Sequence, residues 1–156
     1  MATATMNLPE KSIDWLQDLI QINIDSRDGF KEAADNLKSE NSSLVSMFRE
    51  LSNDRAAQAT ELQAMVASNA EEPTKAGSMA ASVHRTWMDI RTALGGGVHA
   101  VLSEAERGED HIKAKYEDAI KDLGNCGCVP TLRTHFAAVK ASHDAVRNLR
   151  DAHAKA

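Results

Sequence analysis

Residues 98–123 read VHAVLSEAERGEDHIKAKYEDAIKDL. Val98, Leu102, Ala105, Ile112, Tyr116, Ala119 and Leu123 recur at three- and four-residue intervals, which places them on one face of an α-helix. Glu109 falls on that same apolar face. A charge taken into a core is costly unless it is paired, so Glu109 must meet a partner, a ligand or water. Three further stretches repeat the pattern. The first runs Ile13, Leu16, Ile20, Asn23, Arg27, Phe30, Ala34, Leu37. The second runs Leu44, Phe48, Leu51, Arg55, Gln58, Leu62, Met65, and the fourth runs Leu132, Phe136, Val139, His143, Val146, Leu149. Each stripe is apolar at its ends and polar near its middle, which predicts an all-α bundle with a polar centre.

Composition agrees with a helical bundle. The 156 residues are 26% charged and 4% aromatic, without β-branched runs. A net charge of −5 and the lack of a Lys/Arg block argue against nucleic-acid or anionic-membrane binding. No apolar run approaches the roughly 20 residues of a membrane span. Met1–Asn7 lacks the basic and apolar regions of a secretory signal. Residues 1–9 are therefore expected to be a disordered leader, residues 10–154 a single domain, and the protein cytoplasmic.

The punctuation of the chain sets the topology. A first helix is predicted from near Pro9, capped by Ser12 or Asn7, to about Ser39, with Gly29 allowing close approach of a neighbour. Asn41-Ser42-Ser43 begins a second helix that runs to about Asn69. After a loop over Glu71–Gly77, Ser78 caps a shorter helix through Val83, Trp87 and Leu94, ended by Gly95-Gly96-Gly97. The third helix spans Val98–Leu123, and the fourth follows Pro130 to about Ala152. Short turns join helices one and two, and three and four; a long connection separates the pairs. That is the ferritin-like arrangement. The expected fold is a ferritin-like four-helix bundle whose long crossover carries a short extra helix between the second and third bundle helices.

Ferritin-like carboxylate proteins hold two metals with a Glu from each of two helices and a Glu-x-x-His from each of the other two. The residues three before the histidines here are Ala81, Gly96, Gly108, Leu132, Lys140 and Arg150, none of them acidic. Arg55-x-x-Gln58 stands where the second-helix motif belongs, and Lys140-x-x-His143 where the fourth belongs. Glu109 precedes Tyr116 by seven residues as in the third-helix pattern, and Asn23 precedes Phe30 by seven on the first helix. Arg and Lys cannot ligate a metal. They can replace it as counter-charges for Glu109 and for Asp25 or Asp54. A core network of Asn23, Arg27, Arg55, Gln58, Glu109, Lys140 and His143 is expected, with no catalytic residue, metal or cofactor. In the alternative, Glu109 and His143 are the ligands of a reduced metal site, helped by Asp25, Asp54 or His111. A small-molecule pocket among the helices is a third reading.

Three smaller features complete the sequence. Trp15 and Trp87 are expected to pack, each needing an indole N–H partner if buried. His84-Arg85-x-Trp87 offers a mixed charged and aromatic surface to a protein partner. Cys126-Gly127-Cys128 lies in a predicted turn with Gly124, Asn125 and Pro130. Two thiols do not fill a zinc site, His135 is isolated, and a disulfide between them would be strained. They read as loop thiols without a role.

Several runs carry a likeness when taken together: Asp28-Gly29-Phe30-Lys31-Glu32-Ala33-Ala34, Arg55 with Glu61-Leu62-Gln63, Glu72-Pro73, Gly77-Ser78, His84-Arg85-x-Trp87, Glu106-Arg107-Gly108-Glu109-Asp110 with Tyr116, and His143-Asp144 with Arg147-x-Leu149-Arg150-Asp151. From about Ile13 to Asp151 the chain resembles the bacterial ferritin-like family known as domain of unknown function 2383. The resemblance implies a four-helix ferritin-like fold and supplies no catalytic residues. The expected role is a non-enzymatic, stress-associated or scaffolding bundle that forms a homo-oligomer and is open to a protein partner.

Overall fold

A computed structural model describes residues 8–37, 42–75 and 97–154. Within them the chain forms α1 (Glu10–Asn36), α2 (Ser42–Ala67), α3 (Val98–Leu123) and α4 (Val129–Ala154), an all-α bundle.

The helix ends follow local chemistry. Pro9 precedes α1, and its carbonyl takes the amides of Ser12 and Ile13 at 2.9 and 3.2 Å. Ser12 therefore lies within the first turn and is buried rather than capping it; Asn7, with residues 1–7, falls outside the described residues. Leu8 is tied down, its N–H donating to Asn69 Oδ1 at 2.8 Å. Leu37 turns extended and ends α1 at Asn36, short of Ser39. α2 stops at Ala67, and Ala70 takes a positive φ of 60° just beyond. α3 keeps the predicted bounds, flanked by Gly97 at φ 97° and Gly124 at φ 57°, conformations that favour glycine. α4 begins one residue before Pro130; in a first turn proline's missing N–H breaks no helical bond.

α1 packs along α2, α3 along α4, and α1 also meets α3. One apolar cluster includes Leu16, Ile20, Leu62, Val66, Ala119 and Leu132. The other includes Phe30, Phe48, Leu102, Ala105 and Val146, with the two phenyl rings 5.4 Å apart. Gly29 is buried on α1, and nearby Ser52 of α2 donates to the Arg27 carbonyl at 2.8 Å, so the two helices come close there.

The pairing also fixes direction. Thr74, beyond α2, donates its N–H to Gln17 Oε1 at 2.8 Å, at the end where α1 starts. Val98 and Leu37 both pack against the cluster that holds Leu44, at the opposite end. α2 and α3 thus run the same way, so residues 75 and 97 lie at opposite ends of the bundle. The extra helix predicted from Ser78 to Leu94, with His84, Arg85 and Trp87, lies outside the described residues. No described helix is long and apolar enough to cross a membrane.

Candidate functional site

Midway along the bundle Arg55 of α2 and Glu109 of α3 meet with essentially no solvent exposure, 1% and 0%. Arg55 Nη2 donates to both Glu109 oxygens, at 3.0 Å to Oε1 and 2.7 Å to Oε2. It also donates to Ser142 Oγ of α4 at 2.7 Å, and that hydroxyl donates to Glu109 Oε2 at 2.5 Å. Gln58 Oε1, one turn along α2, accepts from Arg55 Nη1 at 3.4 Å. The guanidinium suits this place because one planar fork reaches several acceptors. Its Nε is buried without a hydrogen-bond partner, so the satisfaction is incomplete.

A second polar layer lies toward the α1 start and draws on all four helices. Asn23 Nδ2 donates to the Leu19 carbonyl and to Tyr116 Oη, both at 2.8 Å. The phenol then directs its hydrogen to His135 Nδ1 at 3.0 Å, which leaves His135 Nε2–H for Glu61 Oε2 at 3.2 Å. Burial raises the Tyr116 phenol well above its ordinary range, against the hydrogen bond from Asn23. Burial also lowers the His135 imidazole below its ordinary 6.5, with Glu61 opposing and Arg55 adding to the fall. Both directions favour the neutral forms that this chain of donors requires.

His143 is buried, but it faces a different edge. Its Nε2 lies 2.7 Å from Asp110 Oδ1 and 3.6 Å from Glu106 Oε1, and its Nδ1 lies 3.1 Å from Asp144 Oδ1. A neutral imidazole carries one N–H, so serving carboxylates on both sides takes a second proton or a bound cation. One ligand atom each from Glu106, Asp110 and His143 lies within 4.8 Å of the others. Arg150 already pairs with Glu106 there. The hydrogen bond from His143, helped by Arg147 and Lys140, holds the Asp144 carboxyl below the usual range against a smaller opposing effect of burial.

The geometry corrects several expected members of the network. Lys140 is exposed and reaches Asp144 Oδ2 at 3.8 Å, an i,i+4 surface pair. Val139 takes the inward position, and the next residue on a helix points about a quarter-turn away. The fourth-helix pair at the core is accordingly Val139-x-x-Ser142. Arg27 is more than a third exposed and pairs with its neighbour Asp28. Asp54 and His111 are exposed, and the carboxylate paired with Arg55 is Glu109. Ser142, His135, Tyr116, Glu106 and Asp110 were not among the expected site residues. Ser142 had a detectable signal, since it lies three residues after Val139 and seven after His135 on the inward arc.

The core does not fit a di-metal centre. Both oxygens of Glu109 are held by Arg55 or Ser142, and Asn23, Gln58 and Ser142 are neutral where acidic or imidazole ligands would be required. Most polar atoms of the core groups are spent on one another, Arg55 Nε and Asn23 Oδ1 being the exceptions. A pocket of about 820 Å³ lies instead beside the α3–α4 turn, between Glu117, Lys121, Arg133 and Phe136.

The family described as Domain of unknown function (DUF2383) matches residues 11–122. The chain belongs to that family. No curated protein matches it. The DUF2383 match contains Asn23, Arg55, Gln58 and Glu109, and ends before the Cys-Gly-Cys turn and α4. Ser142 and His143, which complete the two polar sites, therefore stand beyond the matched segment.

Proposed function

We propose that this protein is a ferritin-like bundle in which the Arg55–Glu109 pair stands in place of a di-metal centre. It serves as a non-enzymatic, self-associating bundle, cytoplasmic and stress-associated or scaffolding in role. The observation that carries this reading is the guanidinium at the carboxylate that would otherwise ligate metal. A fixed positive charge there repels a divalent cation, and its hydrogen bonds already satisfy Glu109. The single long crossover between α2 and α3 supports the ferritin-like relationship.

One observation favours a second reading. If the protein binds a metal, the site is at Glu106, Asp110 and His143 rather than at Glu109 and His143. Asp144 on the far ring nitrogen supplies the carboxylate that commonly orients a ligating histidine.

Elemental analysis of tag-free protein, purified without chelator and repeated after ferrous iron loading, separates the readings. The proposal expects no stoichiometric metal in wild-type protein. Bound metal that survives Glu109→Gln but is lost in Asp110→Asn/His143→Ala establishes the second reading. Metal lost on Glu109→Gln overturns the proposed core.

A further inference from the structure

The α3–α4 turn brings two thiols into an asymmetric arrangement. Cys126 Sγ and Cys128 Sγ lie 3.4 Å apart, with Cys128 donating. Cys126 is half-buried and Cys128 fully buried. Ser12 Oγ, buried in the first turn of α1, lies 3.0 Å from Cys126 Sγ. The backbone amides of Cys128 and Gly127, next along the turn, also favour a thiolate at that sulfur. Cys128 immediately precedes α4, and its carbonyl accepts the Leu132 amide at 3.2 Å, so Cys126 sits beside the positive end of a long helix. These donors converge on one sulfur and leave the other as a protonated neighbour. Cys126, but not Cys128, lines a pocket of about 290 Å³, with Arg133 on its wall.

We propose that Cys126 and Cys128 form a thiol–disulfide exchange site for small anionic disulfides, with Cys126 attacking and Cys128 resolving. Burial disfavours a thiolate at Cys126, but the Cys128 amide, Ser12, the Cys128 thiol and the Gly127 amide outweigh it and hold the thiol below its ordinary value. Burial, then the hydrogen bond it gives Cys126 and the charge there, push the Cys128 thiol up to about 12.

The exchange balances. The Cys126 thiolate attacks one sulfur of the disulfide RSSR, forming Cys126–S–S–R and expelling RS⁻ with the electron pair of the broken bond. Capping Cys126 removes the charge and the acceptor that kept Cys128 protonated. Cys128 gives its proton to the departing thiolate or to water, attacks the Cys126 sulfur and expels the second RS⁻. Two protein thiols are oxidised to one disulfide, and RSSR is reduced to two thiols. A disulfide between cysteines so close in sequence is strained and readily reduced, which suits exchange rather than structural bracing. Arg133 supplies the charge that favours carboxylate-bearing disulfides.

The test is intact-mass analysis of the reduced full chain after exposure to glutathione disulfide and acid quenching. Wild-type protein is expected to become two hydrogens lighter without a lasting adduct. Cys128→Ser should accumulate one glutathione on Cys126. In Cys126→Ser the remaining thiol should react at least about tenfold more slowly. Arg133→Ala should slow the reaction with glutathione disulfide while leaving that with bis(2-hydroxyethyl) disulfide unchanged. Iodoacetamide mapping of the native wild-type chain gives a reading that needs no cysteine variant: Cys126 is alkylated first, and Ser12→Ala raises the pH midpoint of its alkylation. Alkylation of Cys128 first, equal rates at the two thiols, or a wild-type mixed disulfide that never resolves overturns the proposal.

Discussion

Glu109 carries a carboxylate that is fully buried, with its charge balanced within one side chain's reach. Removing Ser142's hydroxyl with Ser142→Ala leaves that balance in place and takes away the bond it accepts from Arg55 and the one it gives Glu109. It should cost about 1–3 kcal/mol in denaturant unfolding. His135 is held neutral in the fold and binds a proton more readily when unfolded. Between its depressed folded value and the ordinary 6.5 the unfolded chain takes up the extra proton, so stability falls as pH falls. The slope should approach at most about 1.4 kcal/mol per pH unit, and His135→Gln should flatten it in melts across that window. At this scale the sequence was informative wherever a large or charged residue broke an apolar stripe, as at Asn23, Arg55 and Glu109. For Ser142 it offered only the residue's place on the inward arc, because a small hydroxyl hardly perturbs a hydropathy pattern. Lys140 entered the expectation through its spacing to His143, not through the stripe, and the stripe was the better guide.

The helices show why element type was legible and element ends less so. Periodicity over more than twenty residues fixes a helix and its buried face. Ends depend on single contacts, such as the Pro9 carbonyl that starts α1 two residues before Ser12. α4 shows the finer difficulty. Its inward arc holds Leu132, His135, Val139, His143 and Val146, yet two of its polar members serve different partners. His135 closes the Tyr116 layer and His143 turns to Glu106 and Asp110. Periodicity gives a face but not the rotation that decides which neighbour a side chain on its edge will meet. The apolar cluster at the α1–α2 turn end relies on Phe48, whose ring is tilted against that of Phe30. Phe48→Ala should therefore cost about 3–5 kcal/mol, measured by chemical denaturation, with the helix content of the folded state retained.

Over the whole molecule, polar layers lie between apolar clusters, and each layer ties together helices distant in sequence. Arg55–Glu109–Ser142 joins α2, α3 and α4, while Asn23–Tyr116–His135–Glu61 joins all four. Such layers restrict register, since sliding one helix by a turn would leave buried polar groups without partners. The topology was readable because short turns and one long connection constrain the order of helices. The edge cluster around His143 was not, because it depends on where α3 and α4 rotate against each other. If the core is closed by its own ion pair, metal should be irrelevant to folding. A denaturant double-mutant cycle with Arg55→Met and Glu109→Leu, run with and without chelator, tests this. Each single change should cost about 3–5 kcal/mol by stranding a buried charge, and the double variant should recover most of that loss. Chelator should leave the wild-type curve unmoved. Additive single effects below about 1 kcal/mol, or wild-type stability that falls when metal is removed, would contradict a core closed by Arg55 and Glu109.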